Sequence, residues 1–599
     1  MTRRLLCGGA LLAFAGGAGA VGPAAAQVDT TARRDTTARQ DTTARRDTVA
    51  RDTLPLQMPV PPAQRPAGPL PRGTRYSFTA DSFAFSNIQT LSDLLAHIPG
   101  VYVARGGIYG QAEIAFYGGR GAAGLELYWD GVPYLPLGRD SVFLDPARIS
   151  LAPLELVDVV VLPGMLRVYL VTVRHRSTAT ATQLRIATGQ VSTANYRGLF
   201  ARRWRSGLGL SLVADYNNND GIASSSSSPF GSVDLWVKAE YLPSATRGVS
   251  YQTLSSSWKR NPAADLTDKF SYRRRDGILR AFLAARGDGL GPRLELVYAT
   301  ATAGRDTAVP ERSLRQGLVA VSHAWRRAQL GATLSAQGHD RPWQVEAAAA
   351  WRPIRPLTLA ADARHARYSG SRRGDRAHLS AGLGLPLGFS IRGDLAWAND
   401  LQAPAWADDT AQKTVDVTGA LRWDRAWVTL EAGGGRRDPF EPVGSPAGLK
   451  TIAGLAPTPR TRYVSAHGAI RPLPGLTLAG WYSDPRLAGG NDFEPPYRAR
   501  AAATFYSKFW RVYRSGIFAL RAEVAMESWS RGTAGLDPNG SPLELPGATF
   551  METNIELRVA GVTIYWIQRN MNGMRASYVP GLDYPRRFQF YGVRWAFTN

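Results

Sequence analysis

Only one cysteine occurs in the 599 residues, at position 7, ahead of the expected signal-cleavage point. The mature protein is therefore expected to hold no disulfide, no Cys-based metal site and no thiol nucleophile. The seven histidines, His97, His175, His323, His339, His365, His378 and His467, are dispersed. Their spacing predicts no metal site, although strand pairing could bring His323, His339 or His365 near one another. There is no HExxH, no GxSxG at a strand-to-helix junction and no P-loop, and the pairs Gly106-Gly107 and Gly118-Gly119 form no dinucleotide fingerprint. No catalytic residue, cofactor, metal or enzymatic activity is expected. Beyond the N-terminus no apolar run reaches eighteen residues, so no transmembrane helix is predicted. Acidic residues are also in deficit, 48 against 71 Lys plus Arg, for a formal charge of +23. Such a balance raises nucleic-acid binding, but the arginines, which far outnumber the lysines, are scattered and form no compact patch. They are expected to face water, anionic lipid headgroups or an anionic solute, and no nucleic acid.

What the chain has in quantity is alternation. From about residue 180 to the end, segments of roughly ten residues place apolar and polar side chains on opposite faces, as a strand requires. In one, Val233, Leu235, Val237, Ala239 and Tyr241 oppose Asp234, Lys238 and Glu240. In another, Leu208, Leu210, Leu212, Ala214 and Tyr216 share a face, and Ile555, Leu557 and Val559 oppose Asn554, Glu556 and Arg558. The last segment sets Tyr591, Val593, Trp595 and Phe597 against Gly592, Arg594, Ala596 and Thr598. One or two such strands would fit a soluble sandwich. More than four hundred residues of them, with aromatics on the apolar face, predict an all-β transmembrane barrel. Strand starts are expected near residues 180, 194, 207, 231, 248, 273, 291, 314, 327, 343, 356, 375, 387, 412, 425, 461, 475, 496, 512, 549, 561 and 586, which makes 22, an even number that returns both ends to one side. Around residues 561–569 the alternation blurs, because apolar groups load both faces.

In chain order, residues 1–26 read as a secretory signal: Arg3-Arg4, an apolar stretch, and Ala24-Ala25-Ala26 before Gln27. Only Leu5 and Leu6 separate Cys7 from the arginines, too little for a lipoprotein signal core. Residues 27–72 form a polar tail. Asp29, Asp35, Asp41 and Asp47 open a six-residue repeat that leads into a proline-rich stretch, and the composition predicts an extended, disordered periplasmic segment. Residues 73–176 read as a small α/β domain, with a helix over 88–98 capped by Asn87 or Thr90, several short strands, and a turn at Asp130-Gly131. A 22-stranded barrel has a lumen that must be obstructed, so this domain is read as a plug, and residues 177–599 as the barrel.

The order of signal, tail, plug and barrel resembles the TonB-dependent outer-membrane receptors. Leu91-Ser92-Asp93-Leu94-Leu95 followed by Ile98-Pro99-Gly100-Val101 is similar to the family's opening plug helix and strand. Tyr117-Gly118-Gly119-Arg120-Gly121 is similar to its glycine-arginine turn, Asp130-Gly131-Val132-Pro133 to its "DGVP" hairpin, and Leu154-Glu155-Leu156-Val157-Asp158-Val159 to its acidic-aliphatic strand. The chain departs from the pattern after Val161, where the family's Tyr-Gly segment and paired glycines are missing, so the plug is read as shortened and divergent. The resemblance implies a monomer in the outer membrane, surrounded by lipid and lipopolysaccharide and inserted by the barrel-assembly machinery. It also implies gated import of a scarce solute, such as an iron chelate, a cobamide or an oligomeric nutrient, driven by a TonB-like periplasmic energy-coupling protein. Asp47-Thr48-Val49 and Asp52-Thr53-Leu54 are the candidate coupling segments. Long loops at 217–230, 261–272, 304–312, 368–376, 399–413, 436–460, 483–497 and 528–548 are expected outside, with Arg436, Arg437, Phe440, Trp481 and Tyr497 as candidate ligand-rim residues. A passive porin-like channel with a vestigial plug and a non-transporting surface receptor stay open as alternatives.

Overall fold

The computed structural model describes residues 55–598 except 67, 84, 86–87, 108–109, 138–141, 222–228, 261–269, 306–308, 339–340, 405–408, 447, 510–511, 514 and 516. The signal, the six-residue repeats, the coupling candidates at 47–54, the alternative cap Asn87 and His339 lie outside the described residues.

Twenty-two antiparallel strands close into a barrel, from β8 (Ala181–Gly189) to β31 (Phe588–Thr598). Closure pairs β31 with β8, Phe590 opposite Gly189 and Thr598 opposite Ala181. The strand starts expected from alternation lie within three residues of the observed ones, with two exceptions. β15 (Val309–Ala324) begins five residues earlier, and β26 (Phe518–Trp529) six residues later. The second shift has a physical reason: Phe509 and Tyr513, apolar enough to read as strand, instead pack on Phe518 in the preceding turn, where Phe509 adopts φ +49°.

On β11 (Phe230–Ser244) Val233, Leu235, Val237 and Tyr241 are exposed outward, and Ser232, Asp234, Lys238 and Glu240 are buried inward. That is the polarity of a barrel with a lipid-facing wall. The blurred segment is β30 (Val562–Arg569). Its Ile564 faces out, while Tyr565 and Ile567 turn inward to pack with Ala187, Phe588 and Phe590. One end of the barrel carries short turns and both barrel termini; the other carries long loops. Among the latter, the loop over 530–547 holds a small hairpin of β27 (Gly532–Leu536) and β28 (Pro542–Leu545).

The N-terminal domain occupies the lumen. Its main sheet has the order β1 (Arg75–Thr79), β6 (Leu154–Leu162), β7 (Met165–Thr172), β4 (Leu125–Trp129), β5 (Val132–Pro133), all antiparallel except β4 with β7. β2 (Tyr102–Arg105) and β3 (Glu113–Phe116) form a separate hairpin, and α1 (Ala80–Phe83) and α2 (Leu91–Leu95) complete the domain. α2 is shorter than its apolar stripe predicts, but its start follows the sequence. Thr90 and Asp93 cap each other reciprocally, and the buried Leu91, Leu94 and Leu95 form the inner face. The β4–β5 turn puts Asp130 at φ 44° and Gly131 at φ 78°, the left-handed pair that a two-residue hairpin needs. The domain's core is continuous with inward side chains of the wall: Val213, Trp236, Leu254, Ile278, Val297 and Leu318 pack in one cluster with Leu127, Trp129, Val168 and Leu170.

The proline-rich residues 55–72, expected as part of an extended tail, are instead packed inside the short-turn end. The Met58 amide donates to the Arg176 carbonyl (2.7 Å), Arg203 donates to the Pro59 carbonyl (2.7 Å), and the Gly68 amide donates to Gln329 Oε1 (2.7 Å). Proline keeps this stretch extended and leaves carbonyls without local partners, which the lumen arginines satisfy.

Replacing Leu235 by Arg on the outward face is expected to destabilise the barrel by roughly 2–4 kcal/mol, whereas Asp288→Asn in an exposed turn should leave its unfolding midpoint unchanged. Urea titration of refolded protein in lipid, followed by heat-modifiable migration, measures both.

Candidate binding site

The residues that carried the N-terminal resemblance are joints. Asp93 caps α2 and also accepts from Arg105 (2.8 Å) and from Arg569 of the wall (2.7 Å). Directly after Pro99 and Gly100 (φ +81°), the Val101 carbonyl accepts from Arg498, which also pairs with Glu527 and lies over Trp481. Arg120 pairs with Asp416 of the wall and stacks over Phe440, and Gly121 (φ +51°) packs against Pro442. Asp130 accepts from Thr172 Oγ1 (2.6 Å) and Gln252 Nε2 (2.7 Å), the Asp130 carbonyl accepts from Arg280, and the Pro133 carbonyl accepts from Gln316 Nε2 (3.1 Å). Two joints are internal to residues 55–176. Glu155 pairs with Arg174 (2.5 Å), and the fully buried Asp158 accepts from Arg65 (2.6 Å) and Ser77 (2.5 Å).

Glu126 is shared by three guanidiniums. It accepts from Arg167 (3.2 Å), Arg364 (3.1 Å) and Arg376 (2.6 Å), and the two wall arginines also share Asp400 (2.5 and 2.6 Å). Arg364 and Arg376 stand opposite each other in register on β18 (Leu357–Arg367) and β19 (Arg373–Gly384), where like charges repel unless acids lie between them. Burial alone would raise the Glu126 carboxyl. The charges of Arg364, Arg376 and Arg167 outweigh that and hold it well below the usual carboxylate range. At Asp93 burial is likewise overcome by Arg569 and Arg105, with the same direction. Buried pairs of this kind add little net stability, but losing one member costs roughly 3–5 kcal/mol.

At the long-loop end Tyr102 and Phe116 of the β2–β3 hairpin pack with Phe493, Trp529, Phe550, Tyr578 and Leu449 from the loops and strand ends above them. Phe116 and Phe493 stack at 4.3 Å, and Phe550 and Tyr578 at 4.8 Å. Beside this cluster, and sharing Phe143 with it, lies a cavity of about 240 Å³. Its domain side carries the apolar Leu135, Leu137 and Phe143 together with Glu126, Tyr128 and Tyr134; its wall side carries Gln337, Arg341, Gln344, Arg364 and Arg376.

The five residues expected at the ligand rim do not line this cavity. Arg437 is buried against Glu494 (2.5 Å) and the Tyr463 ring, Phe440 lies under Arg120, and Trp481 is buried beside Arg498. These three belong to the seam between domain and loops. Arg436 and Tyr497 remain exposed. The cavity residues were missed, although inward arginines at matching heights on neighbouring strands are visible in the alternation. The loop over 570–587, which supplies Tyr578 and Tyr584, was also missed. His323 and His365 sit at opposite ends of the barrel, His365 pairing with Asp375 (2.6 Å). Among the described residues no group of three or more His, Cys, Asp or Glu is placed to hold a metal ion.

No protein-family profile and no curated protein matches this sequence. Solved structures do match the fold. A mutant of the ferric enterobactin receptor PfeA from Pseudomonas aeruginosa superposes with a TM-score of 0.67 at 11% identity, over 88% of this chain and 98% of that one. The copper transporter OprC gives 0.68 at 12%, over 88% and 100%, and the FrpB iron transporter from Neisseria meningitidis gives 0.66 at 9%, over 88% and 99%. At these identities the likeness is one of fold.

Because Glu126 and Asp93 carry lowered carboxyl pKa values, their contribution is complete above the unfolded value of about 4 and is lost as pH falls through the folded values. Protease resistance of the lumen domain is expected to hold from pH 7 to about 5 and to fail only below about 4. Glu126→Gln, which removes the shared charge from three guanidiniums, should weaken the domain by roughly 3–5 kcal/mol at pH 7.

Proposed function

We propose that this chain is a member of the TonB-dependent receptor family in an outer membrane, and that it admits a compact solute by gated displacement of the lumen domain. The observation that carries the reading is the obstructed lumen. A 22-stranded barrel is filled by a domain tied to its wall by ion pairs, while the long-loop end keeps a cavity that reaches the domain's own loops. A wide passive pore would need no such filling, and a surface scaffold would need no cavity against it. The fold shared with receptors and transporters for iron and copper species supports transport, and the identity of the cargo is a separate question.

In this reading the long loops face outward and the short turns face the periplasm. The N-terminal tail, through the segment holding Asp47, Thr48 and Val49 or that holding Asp52, Thr53 and Leu54, is engaged by a TonB-like partner that supplies force. Transport is gated binding, with no covalent step. Residues 55–72 line the periplasmic mouth, so tension on the tail reaches Arg65 and its partner Asp158 on β6 before it reaches β1. The force would therefore act first on the edge of the domain's sheet.

Single-channel conductance in planar bilayers tests the reading. The full-length mature protein is expected to be closed, and a version lacking residues 27–176 is expected to form a large, steady pore. Equal conductance of the two would replace gated import with a passive channel.

A further inference from the structure

We infer that the cavity lined by Gln337 and Arg341 binds a compact organic anion with an apolar or aromatic body. The inference rests on the proposed uptake reading only in placing this cavity on the solute's path. The cavity has two chemically distinct walls. The side chains of Leu135, Leu137 and Phe143 offer a surface with which a strongly hydrated ion would exchange no hydrogen bonds. Facing it, the wall lining carries Arg312, Arg341, Arg364 and Arg376, against one lining carboxylate, Glu126. That carboxylate is already engaged by three guanidiniums, so it has little to give a cationic ligand.

The wall also holds donors that are buried and unused. Gln337 is 2% exposed, and neither of its amide atoms has a partner. Arg341 stands opposite it in register and donates one bond, to Gln344 Oε1 (2.8 Å); its Nε is buried without a partner. Arg364 Nε is unpartnered as well. A buried polar group without a partner costs about 1–3 kcal/mol. A ligand carboxylate or similar oxyanion fits this set: it accepts from the Gln337 amide and from the Arg341 fork, and charge-assisted bonds of that kind are the stronger ones. The volume sets the size. About 240 Å³ lies below the roughly 300–1,000 Å³ of sites for drug-sized ligands, so the occupant is small.

The test uses the full-length protein in lipid nanodiscs, with 4-hydroxybenzoate as the anionic probe and 4-hydroxybenzamide as its neutral counterpart. Binding is followed by saturation-transfer NMR and equilibrium dialysis against empty nanodiscs. The benzoate is expected to bind at least tenfold more tightly than the amide. Gln337→Glu, which is isosteric and places a carboxylate against the anion, and Arg341→Gln should each weaken the benzoate by tenfold or more and leave the amide unchanged. Heat-modifiable migration confirms that each variant has assembled, and Gln337→Glu carries the test alone if Arg341→Gln has not. Equal binding of the two probes, no binding of either, or benzoate binding indifferent to all the substitutions would overturn the inference. A closed full-length channel that does not bind the benzoate leaves gated import standing and removes the anion. An open channel that does bind it does the reverse.

Discussion

Everything in the lumen depends on arginine meeting carboxylate across the boundary between the N-terminal domain and the barrel wall. Glu126 with Arg364 and Arg376, Asp93 with Arg569, and Arg120 with Asp416 are all largely removed from water. Such pairs contribute little net free energy, because desolvation offsets most of the attraction, yet each fixes position and penalises displacement by a fraction of an ångström. A domain held partly by polar joints can fill a pore and still leave it. A continuous apolar interface would resemble a second core. Here the shared apolar contact falls in separate clusters: Val213, Trp236 and Leu254 meet Leu127 and Trp129, Phe493 and Trp529 meet Tyr102 and Phe116, and Ala301 and Ala303 meet Leu137.

The same requirement accounts for the composition. An acid shared by several partners needs planar, multidentate donors, and Arg376 reaches Glu126 and Asp400 at once, which a lysine ammonium could not do in the same geometry. The basic excess thus resolves into a lumen lined with guanidiniums, some saturated by acids of the domain and some facing the cavity. Where aromatics take over, around Tyr102, Phe493, Trp529 and Tyr578, the interface is closed. The cavity lies next to this cluster, beside the domain loops that follow β3 and β5.

Much of this architecture was legible in the sequence because a barrel strand is a local object. Period-two alternation locates each strand without knowledge of its partner, and the Thr90–Asp93 cap and the Asp130-Gly131 turn are decided within four residues. The parts that were not legible are decided at long range. Residues 55–72 have the composition of a free linker, and nothing local reveals that Arg203, Arg174 and Gln329 will bind their backbone. Arg437, Phe440 and Trp481 look like rim residues until the loops fold inward and bury them. Gln337 and Arg341 are more than two hundred residues from Glu126, and only closure of the barrel brings the three to one cavity.

The central claim is that the lumen domain is a separately releasable unit held by polar joints inside a more stable barrel. Urea added stepwise to a single channel in a planar bilayer tests it directly, with barrel integrity followed in parallel by heat-modifiable migration. The account expects the channel to open in urea well below the concentration that unfolds the barrel, and to close again on washout. A channel that stays shut until the barrel itself is lost would contradict it, because domain and barrel would then be one cooperative structure.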